Sequence, residues 1–584
     1  MSRRHEPAKG KSSKGHAARL VARAAGRTLT SHTVGALPIL NSILQRLRLE
    51  EFLRQALPAE DKRVRVPAAR GLLVLVRNVL VAREPIYGVR EWAARQAAHL
   101  LGLTSELVAG LNDDRVGRCL DLLFDAGGSS VALAVVQQAI REFGVSLDEL
   151  HNDSTTITFH GAHRGAEQER TCRGQLTPAI TWGHNKDHRP DLKQLLYILT
   201  VTKDGAVPVM FRVESGNTAD DQTHQATWDL LCQLSGQRDF LYVADCKVAT
   251  RENMAYIHQQ GGRFLSVLPR TRAEDAAFRE QVTRQETVWR PLWDKTDEDG
   301  AVIDGYSVCD PPTTSREGYR LVWYRSTRKA GLDALVRSQH IERALQELTA
   351  LGEKLHSPRT RYRQEAKVAQ AVEEILTERG VTQWLKVQIQ LREVETYKQE
   401  RRGRPTKKTR YVKRVDQRFD LTCTVDQVQI DRERLCDGIF PLVSNDLHLT
   451  DLDLLWAYKR QPAIEKRFSQ MKSDFCVAPV YLQSNLRIQS LLCVYFFALL
   501  VEALLERELR NAMQSAGLKT LPLYPEGRNC RQPTTRRVID VFENVQRHVL
   551  QVPGQKSTVM YTELSTLQRR ILKLLGLPTA DYGR

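Results

Sequence analysis

The order of strand-like and helical segments between residues 148 and 269 constrains the fold of this chain more than any other feature. Short alternating runs at 150–159, 195–202 and 207–213 predict three strands, and Lys203-Asp-Gly joins the second to the third as a hairpin turn. A helical segment from Asp221 to Leu234 then leads into a fourth strand-like run that ends at Asp245. Because a crossover helix makes the fourth strand run parallel to a neighbour, the order predicts a mixed sheet.

This order is the one in which a ribonuclease-H-like core is built. We predict an α/β fold: a ribonuclease-H-like mixed-sheet catalytic core with a large insertion domain, flanked by helical N- and C-terminal regions. The expected boundaries are a basic tail at 1–30, a helical DNA-binding domain at 31–147, the first part of the core at 148–269, an insertion domain at 270–436 with a basic loop at 398–414, the second part of the core at 437–510, and a C-terminal helical region at 511–584. The arginines on the polar helix faces of 31–147 fit DNA phosphates and a solvated surface equally well.

The charge balance favours a polyanionic partner. Lys and Arg outnumber Asp and Glu by 86 to 69, for a net charge of +17, which suits nucleic acid or an anionic membrane surface. The first 27 residues are basic and lack an apolar block long enough for a signal peptide, which predicts a cytoplasmic protein. The apolar stretch 491–505 contains Glu502 and is shorter than the roughly 20 residues of a membrane span, so we expect a buried helix and no membrane partner. The ten cysteines form no CxxC pair and are expected to be reduced.

Two aspartates stand where a metal site would need them. Asp153 lies inside the first predicted strand, where Asp is disfavoured, and Asp245 ends the fourth. For either residue alone, a turn or helix-cap role is the more frequent one. Together, in this topological order, they predict a site for Mg²⁺, which prefers carboxylate and water oxygens; two such ions about 4 Å apart can serve the attacking and leaving oxygens of phosphoryl transfer.

A helix after residue 457 supplies further polar groups. The pattern predicts one polar stripe at i, i+3, i+7 and i+14, formed by Tyr458, Gln461, Glu465 and Lys472. An adjacent apolar seam consists of Ile464, Phe468 and Met471. Such a helix can pack on a sheet and present a carboxylate and an ammonium to a bound phosphate.

These pieces together resemble bacterial insertion-sequence transposases of the DDE class. The resemblance rests on the Asp153-Ser-Thr-Thr strand, the polar segment 183–193, the Val-Ala-Asp245 strand end and the Tyr(2)x(3)Glu(6)Lys stripe. The most similar branch has a Tyr-Arg-Glu-Lys signature and a β-rich insertion before the catalytic Glu. This chain departs from it at Gln461, where the signature has Arg, so the phosphate contact expected there is weaker or is supplied by Arg460.

The resemblance implies a function and its partners. Asp153, Asp245 and Glu465 would be the catalytic, metal-binding residues for two Mg²⁺ ions, with Mn²⁺ as a substitute, while Tyr458 and Lys472 would contact the DNA backbone. The enzyme would cleave the ends of an insertion sequence and join them to target DNA by phosphoryl transfer. Its partners would be double-stranded DNA, both terminal inverted repeats and target, and a second copy in a homodimeric synaptic complex. The expected location is the bacterial cytoplasm, at the nucleoid.

Two loops and one tryptophan are further candidates for DNA contact. Arg402 and Arg404 belong to an Arg-Gly-Arg-Pro segment that is similar to an AT-hook core; a disordered basic loop that binds phosphates is an equal alternative. Lys186 and Arg189 lie in the polar segment before the second strand, which we interpret as a DNA-contacting loop rather than a zinc site. Trp323 would stack on an unpaired base or, as we expect more, fill a core.

Two other functions fit the same sequence. A metal-dependent nuclease would use the three acids to hydrolyse DNA without joining it. A non-catalytic DNA-binding protein derived from a transposase would use only the helical module and the basic loop. Acidic residues at all three positions argue against the second of these.

Overall fold

The structure is a computed structural model that describes residues 27–297, 299–357, 359–475, 477, 480 and 482–583. Its contacts divide the chain into two compact units, Met1–Phe264 with Ala457–Arg584 and Leu265–Trp456. The cysteines within the described ranges are free thiols, as their spacing predicted. Each unit is described separately below.

The first unit begins with a short strand and a set of helices. They are β1 (Thr28–Thr33), α1 (Leu37–Arg46), α2 (Leu49–Ala56), α3 (Ala68–Val81), α4 (Val89–Arg95), α5 (Ser105–Val108), α6 (Asp113–Asp125) and α7 (Gly128–Phe143), with 3₁₀ turns at Ile86–Gly88 and Ala98–Leu101. Side-chain caps start some of them: the Asn112 carboxamide oxygen accepts a hydrogen bond from Arg115 N at the start of α6. The helical spacing predicted for this region is therefore present, but strand β1 was not predicted.

A mixed sheet follows the helices. Its strands in this part of the chain are β2 (Glu149–Phe159), β5 (Lys193–Thr202), β6 (Pro208–Ser215), β7 (Leu241–Ala244) and β8 (Arg263–Val267). Helices α8 (His224–Ser235) and α9 (Arg251–Gln259) and a 3₁₀ turn at Asp220–Thr223 connect them, and β3 (Arg170–Cys172) and β4 (Gln175–Thr177) form a small separate hairpin. Within the first unit the strand order is β6-β5-β2-β7. The first two pairings are antiparallel, and β2 pairs with β7 in parallel, as the strand and helix order predicted.

The second unit contains an antiparallel meander and a helical pair that supports a long hairpin. Its elements are α10 (Ala273–Arg284), β9 (Trp289–Thr296), β10 (Val302–Thr314), β11 (Arg320–Ser326), α11 (Thr327–His356), α12 (Glu365–Arg379), β12 (Leu385–Gln399), β13 (Tyr411–Val425), α13 (Gln427–Leu435), β14 (Ile439–Ser444) and α14 (Asp451–Lys459). The segment 398–414 was predicted as one basic loop; in the structure both of its ends belong to strands β12 and β13. Strand pairing here overrides the polar composition: Lys398 pairs with Val412 and Gln399 with Tyr411 inside the segment, and Lys413 and Arg414 pair with Tyr397 and Thr396 just before it.

The remaining elements return to the first unit. They are α15 (Pro462–Ser469), a π-helical turn at Gln470–Asp474, α16 (Asn485–Ser515), α17 (Thr535–Phe542), β15 (Gln546–Gln551), β16 (Thr558–Tyr561), α18 (Thr566–Leu574) and a 3₁₀ turn at Thr579–Tyr582. The region 511–584 was predicted to be helical, but β15 pairs with β1 and with β16 in a three-stranded sheet. One of its two partners, β1, lies more than 500 residues earlier in the sequence, so this half of the pairing could not be read from the segment itself.

Helix α16 is the core of the first unit. It contacts α1, α3, α6, α7 and β6, and its apolar window is long enough to cross a membrane by length and composition, with 89% of that window buried inside the structure. The buried helix predicted at 491–505 is therefore confirmed. Its length exceeds the predicted stretch because polar residues at both ends continue the helical hydrogen bonding.

Candidate active site

Asp153 and Asp245 come together at the end of strand β7, where their carboxylates interact electrostatically. In the parallel pairing of β2 with β7, Asn152 stands opposite Ala244, the last residue of β7, so Asp153 on β2 and Asp245 directly after β7 follow this pair. Adjacent strands lie about 4.8 Å apart, and paired residues of parallel strands point to the same side. The sheet therefore brings together two carboxylates that are 92 residues apart in the sequence.

The two carboxylates stand in an environment that disfavours their negative charge. Burial raises the pKa of Asp153 to about 6; the nearby ammonium of Lys186 lowers it, and the carboxylates of Asp245 and Asp220 raise it further. Burial also raises the pKa of Asp245 above its ordinary value. Mutual repulsion in a partly desolvated site is typical of carboxylates that bind a cation.

Lys186 and Asp220 lie beside the two aspartates and form a cluster of charged side chains with them. The Lys186 ammonium lies 2.9 Å from an Asp220 carboxylate oxygen and 3.8 Å from Asp153 Oδ1, and it donates to the carbonyl (2.9 Å) and hydroxyl (2.6 Å) oxygens of Ser154. The Ser154 hydroxyl in turn donates to Asp220 at 2.7 Å. Although burial alone would raise the pKa of Asp220, the Lys186 ammonium holds it below its ordinary value. Lys186 was predicted to contact DNA; in this structure it is engaged with the acids.

Asp220 was missed by the sequence analysis. The available signal was its position directly before the crossover helix, between two predicted strands that already carried candidate acids. An acidic residue before a helix is most often a helix-terminal charge, so no pattern in the sequence favoured a site role. The tertiary contact with Ser154 supplies that reason.

The predicted polar stripe is divided among three consecutive elements. Tyr458 lies on α14, which ends at Lys459; Glu465 lies on α15, and Lys472 lies in the π-helical turn. Pro462 causes the first break, since it has no amide donor and favours the first position of a new helix. The stripe was therefore wrong as one continuous helix, while the apolar seam of Ile464, Phe468 and Met471 is buried as predicted.

The start of α15 is fixed to the sheet by buried polar contacts. The Gln461 carboxamide donates to the carbonyl oxygen of Asn152 at 3.0 Å, and its oxygen lies 3.0 Å from His151 Nδ1. Arg460 forms two hydrogen bonds of 2.6 Å to the Glu149 carboxylate. Although burial alone would raise the pKa of Glu149, the hydrogen bonds from His151 and Arg460 hold it at about 2.

These contacts bear on the expectation for Arg460 and Gln461, which stays a prediction. Both were predicted to contact DNA phosphate. In the structure Gln461 is 9% exposed, and the guanidinium of Arg460 is bound by Glu149, so both side chains have partners inside the protein. The reason is that the strand residues Glu149 to Asn152 and the start of α15 pack face to face, a contact that the sequence alone did not reveal.

Arg467 holds the same helix from its buried side. Its guanidinium donates to the carbonyl oxygens of Gly205 (2.8 Å) and Ala206 (3.0 Å) in the β5–β6 turn and to the carboxylate of Glu506 (3.0 Å) on α16. The helix that carries Glu465 is therefore fixed to the sheet at one end and to the core helix at the other.

Tyr458 marks where Glu465 lies relative to the aspartates. Burial raises the pKa of the Tyr458 hydroxyl, and the charges of Cys246, Glu465 and Asp245 raise it further. The hydroxyl is thus within electrostatic range of both acids. Across the residues that the structure describes, however, no three His, Cys, Asp or Glu side chains form one coordination group, so Glu465 and the two aspartates do not close a site in this structure.

The other predicted DNA contacts are spread over two loops. Lys472 forms an ion pair of 2.7 Å with Asp187, next to Lys186 in the sequence, which connects the π-helical turn to the polar segment 183–193. Arg189 is exposed and pairs with Asp191 at 2.7 Å. In the second unit, Arg402 and Arg404 lie in the exposed loop between β12 and β13.

Trp323 is a core residue. It is 1% exposed, its ring stacks on Phe278 with 3.8 Å between centroids, and its Nε1 donates to the Thr313 hydroxyl at 2.9 Å. Stacking on an unpaired base is thus excluded for this conformation, and the expectation of a core tryptophan is confirmed.

Comparison with known proteins gives limited matches. Residues 29–137 match the family described as Domain of unknown function (DUF4277), a range that spans β1, α1 to α6 and most of α7. No match was found among the curated proteins. Among solved structures, the cryo-EM structure of a piggyBac transposase synaptic complex with hairpin DNA is similar at a TM-score of 0.35 and 8% identity, covering 93% of this chain and 84% of that chain. A likeness of this degree assigns no function, so function is argued from the site.

Proposed function

We propose that this chain is a DDE-type transposase that cleaves the ends of an insertion sequence and joins them to target DNA. The observation that carries the proposal is the pairing of Asn152 with Ala244, the residues directly before Asp153 and Asp245. The helix with Glu465 is fixed to the same strand, β2, through Gln461. Two carboxylates on a sheet and a third on an adjacent helix suit metal-assisted phosphoryl transfer.

The donor set fits Mg²⁺, with Mn²⁺ as a substitute. Asp153, Asp245 and Glu465 offer only hard carboxylate oxygens, and the raised pKa values of both aspartates are those of carboxylates that gain from a nearby cation. Two divalent ions, when bound, would polarise the scissile phosphodiester and stabilise charge on the departing oxygen. Asp220 is a fourth carboxylate beside them.

The chain's own groups would bind and orient the DNA backbone. The Lys186 ammonium, 28% exposed, offsets the charge of the acids where a phosphate approaches. Arg189 lies in the same polar loop and Lys472 lies beside it. The Lys472 ammonium would contact phosphates as a point charge, and the Arg189 guanidinium would contact them through its forked N–H donors. The Tyr458 hydroxyl would donate a hydrogen bond near Asp245, since its raised pKa keeps it protonated.

The proposed partners are double-stranded DNA and a second copy of the chain. The net charge of +17 favours DNA, both as terminal inverted repeats and as target. Cutting and joining two ends requires that both be held together, so we infer a homodimer in the synaptic complex. The proposed location is the bacterial cytoplasm at the nucleoid.

Cleavage of DNA that carries the element's own ends tests this proposal. Purified Asp153→Asn, Asp245→Asn and Glu465→Gln variants are compared with the wild type in Mg²⁺ and in Mn²⁺; each is expected to lose cleavage and retain end binding. Asp191→Asn is the matched control, since its carboxylate is 59% exposed and pairs only with Arg189 among the contacts described. Wild-type activity in Glu465→Gln would refute the assignment.

A strand-transfer assay separates the remaining possibilities. Pre-cleaved ends are incubated with a target plasmid, and joined products are expected. Cleavage without joining would identify a metal-dependent nuclease. End binding without any cleavage by the wild type would identify a non-catalytic DNA-binding protein.

A further inference from the structure

The hairpin of β12 and β13 extends well beyond the core that supports it. Each strand has 15 residues, which corresponds to a ribbon about 50 Å long at 3.3 Å per residue. Its base is buried: Leu385 and Phe419 belong to a hydrophobic cluster with residues of α11 and α12. Beyond that cluster lies the part that we name the β-arm, residues 391–418.

Both faces of the β-arm expose apolar side chains. Leu391 is 55% exposed, Tyr397 62%, Tyr411 53%, Val412 53% and Val415 47%. A two-stranded ribbon without a covering layer is marginally stable in water, and exposed apolar residues on both faces indicate a surface that contacts another molecule.

The charge of the β-arm selects the kind of molecule. Between 398 and 414 the single acid is Glu400, and the basic residues are Lys398, Arg401, Arg402, Arg404, Lys407, Lys408, Arg410, Lys413 and Arg414. Lys413 pairs with Glu395 and Arg414 with Asp416. Of the six basic side chains in the loop 400–410, none forms an ion pair with any residue that the structure describes. The tip therefore carries uncompensated positive charge, which favours binding to a polyanion over binding to a protein surface.

The tip is a folded end of the ribbon. Glu400 N donates to the carbonyl oxygen of Arg410 at 3.0 Å, which adds one further cross-strand hydrogen bond. Thr406 and Thr409 close a turn, with Thr409 N donating to Thr406 O (3.0 Å) and Thr406 N to the Thr409 hydroxyl (2.7 Å). The Arg-Gly-Arg-Pro segment lies in the loop that these contacts close, between the paired ends of the two strands.

We propose that the β-arm inserts into the major groove of double-stranded DNA. This groove is about 12 Å wide and admits a two-stranded ribbon in undistorted B-form DNA, whereas the minor groove of about 6 Å admits one only when the duplex is bent and the groove opened. The basic tip would contact phosphates on both sides of the groove, and the tyrosines and valines would face base edges and thymine methyl groups. Duplex RNA is a poor fit, because its major groove is deep and narrow. The inference rests on the proposed function only in taking DNA as the substrate.

Salt-dependent DNA binding by the full chain tests the proposal. The arm variant carries Arg402→Gln, Arg404→Gln, Lys407→Gln and Lys408→Gln. The control carries Arg343→Gln, Lys354→Gln, Lys367→Gln and Arg432→Gln, four exposed basic residues on helices of the same unit, so both variants lose the same charge. Each neutralised phosphate contact contributes about 0.9 to the slope of log K against log salt concentration. We expect the arm variant to lose about 2 to 4 units of this slope and the control to keep the wild-type slope.

Groove-specific competitors identify where the arm lies. The major-groove ligand methyl green is expected to remove the affinity difference between wild type and arm variant, and the minor-groove ligand netropsin to leave it. Equal slopes for arm variant and control, removal of the difference by netropsin, or an equal difference on duplex RNA would each overturn the proposal. All binding is measured in an Asp153→Asn background without divalent metal, so that a failure of the proposed catalysis does not affect the result.

Discussion

Replacing Arg467 by methionine tests how the helix that carries Glu465 is held. The Arg467 and Glu506 side chains are 2% and 1% exposed, and they form an ion pair of 3.0 Å within the first unit. Arg467 also donates to the carbonyl oxygens of Gly205 and Ala206. Methionine has an apolar side chain of similar length, and the substitution removes every one of these donors.

We expect Arg467→Met to lower the free energy of unfolding by about 3–5 kcal/mol, the usual cost of removing one partner from a buried ion pair. The loss arises because the buried Glu506 carboxylate loses one of its two arginine partners and keeps Arg510 at 3.3 Å, while the carbonyl oxygens of Gly205 and Ala206 lose their donor. A second substitution, Glu506→Gln, removes that charge, so the double variant should recover about 1–2 kcal/mol of the loss. The gain from a second deletion distinguishes a buried charge from a simple loss of packing.

The measurement is urea unfolding followed by circular dichroism. Arg54→Met is the control in the same unit, because Arg54 pairs with Glu50 on one exposed helix face, with side chains 57% and 37% exposed; such a pair is worth about 0.5 kcal/mol. Two results would refute the reasoning: a loss for Arg467→Met within about 1 kcal/mol of the control, or a double variant no more stable than the single one.

Three further predictions concern pH, packing and metal. Burial, together with the charge of Glu506 beside it, raises the pKa of Glu502 to about 8, so this carboxyl is neutral in the folded state. The neutral carboxyl stabilises the fold fully below about pH 4.5, and this stabilisation is lost as the pH rises to 8. Glu502→Gln should therefore gain stability relative to the wild type with rising pH, by about 4 kcal/mol at pH 8, and a pH-independent difference in urea unfolding would contradict this. Trp323→Ala should lower the free energy of unfolding by about 3–5 kcal/mol, since the ring is buried and stacked on Phe278; a loss below about 1 kcal/mol in thermal unfolding would show that the site is not packed as described. Chelation of divalent metal should abolish cleavage of element ends and leave end binding intact, and cleavage in excess EDTA would count against the carboxylate assignment.

The sequence by itself determined the local elements and the positions of the two aspartates. Alternation in β2, β5 and β6, the helical spacing of α8 and the apolar run of β7 are set by backbone periodicity, which a single segment already contains. The parallel pairing of β2 with β7 followed from the crossover helix, and it set the residues directly before Asp153 and Asp245 opposite each other. The burial of α16 followed from its composition in the same way.

Tertiary structure alone decided which side chains became partners. Arg460 and Glu149 are 311 residues apart in the sequence, and no sequence pattern relates them. In the structure they form an internal ion pair, although Arg460 was expected to contact phosphate. Packing of distant segments also brought Lys186 and Asp220 to the two aspartates and paired β1 with β15. A side chain's periodicity is fixed by its neighbours in the chain, whereas its partner is fixed by which distant surfaces pack together, and packing depends on the whole molecule.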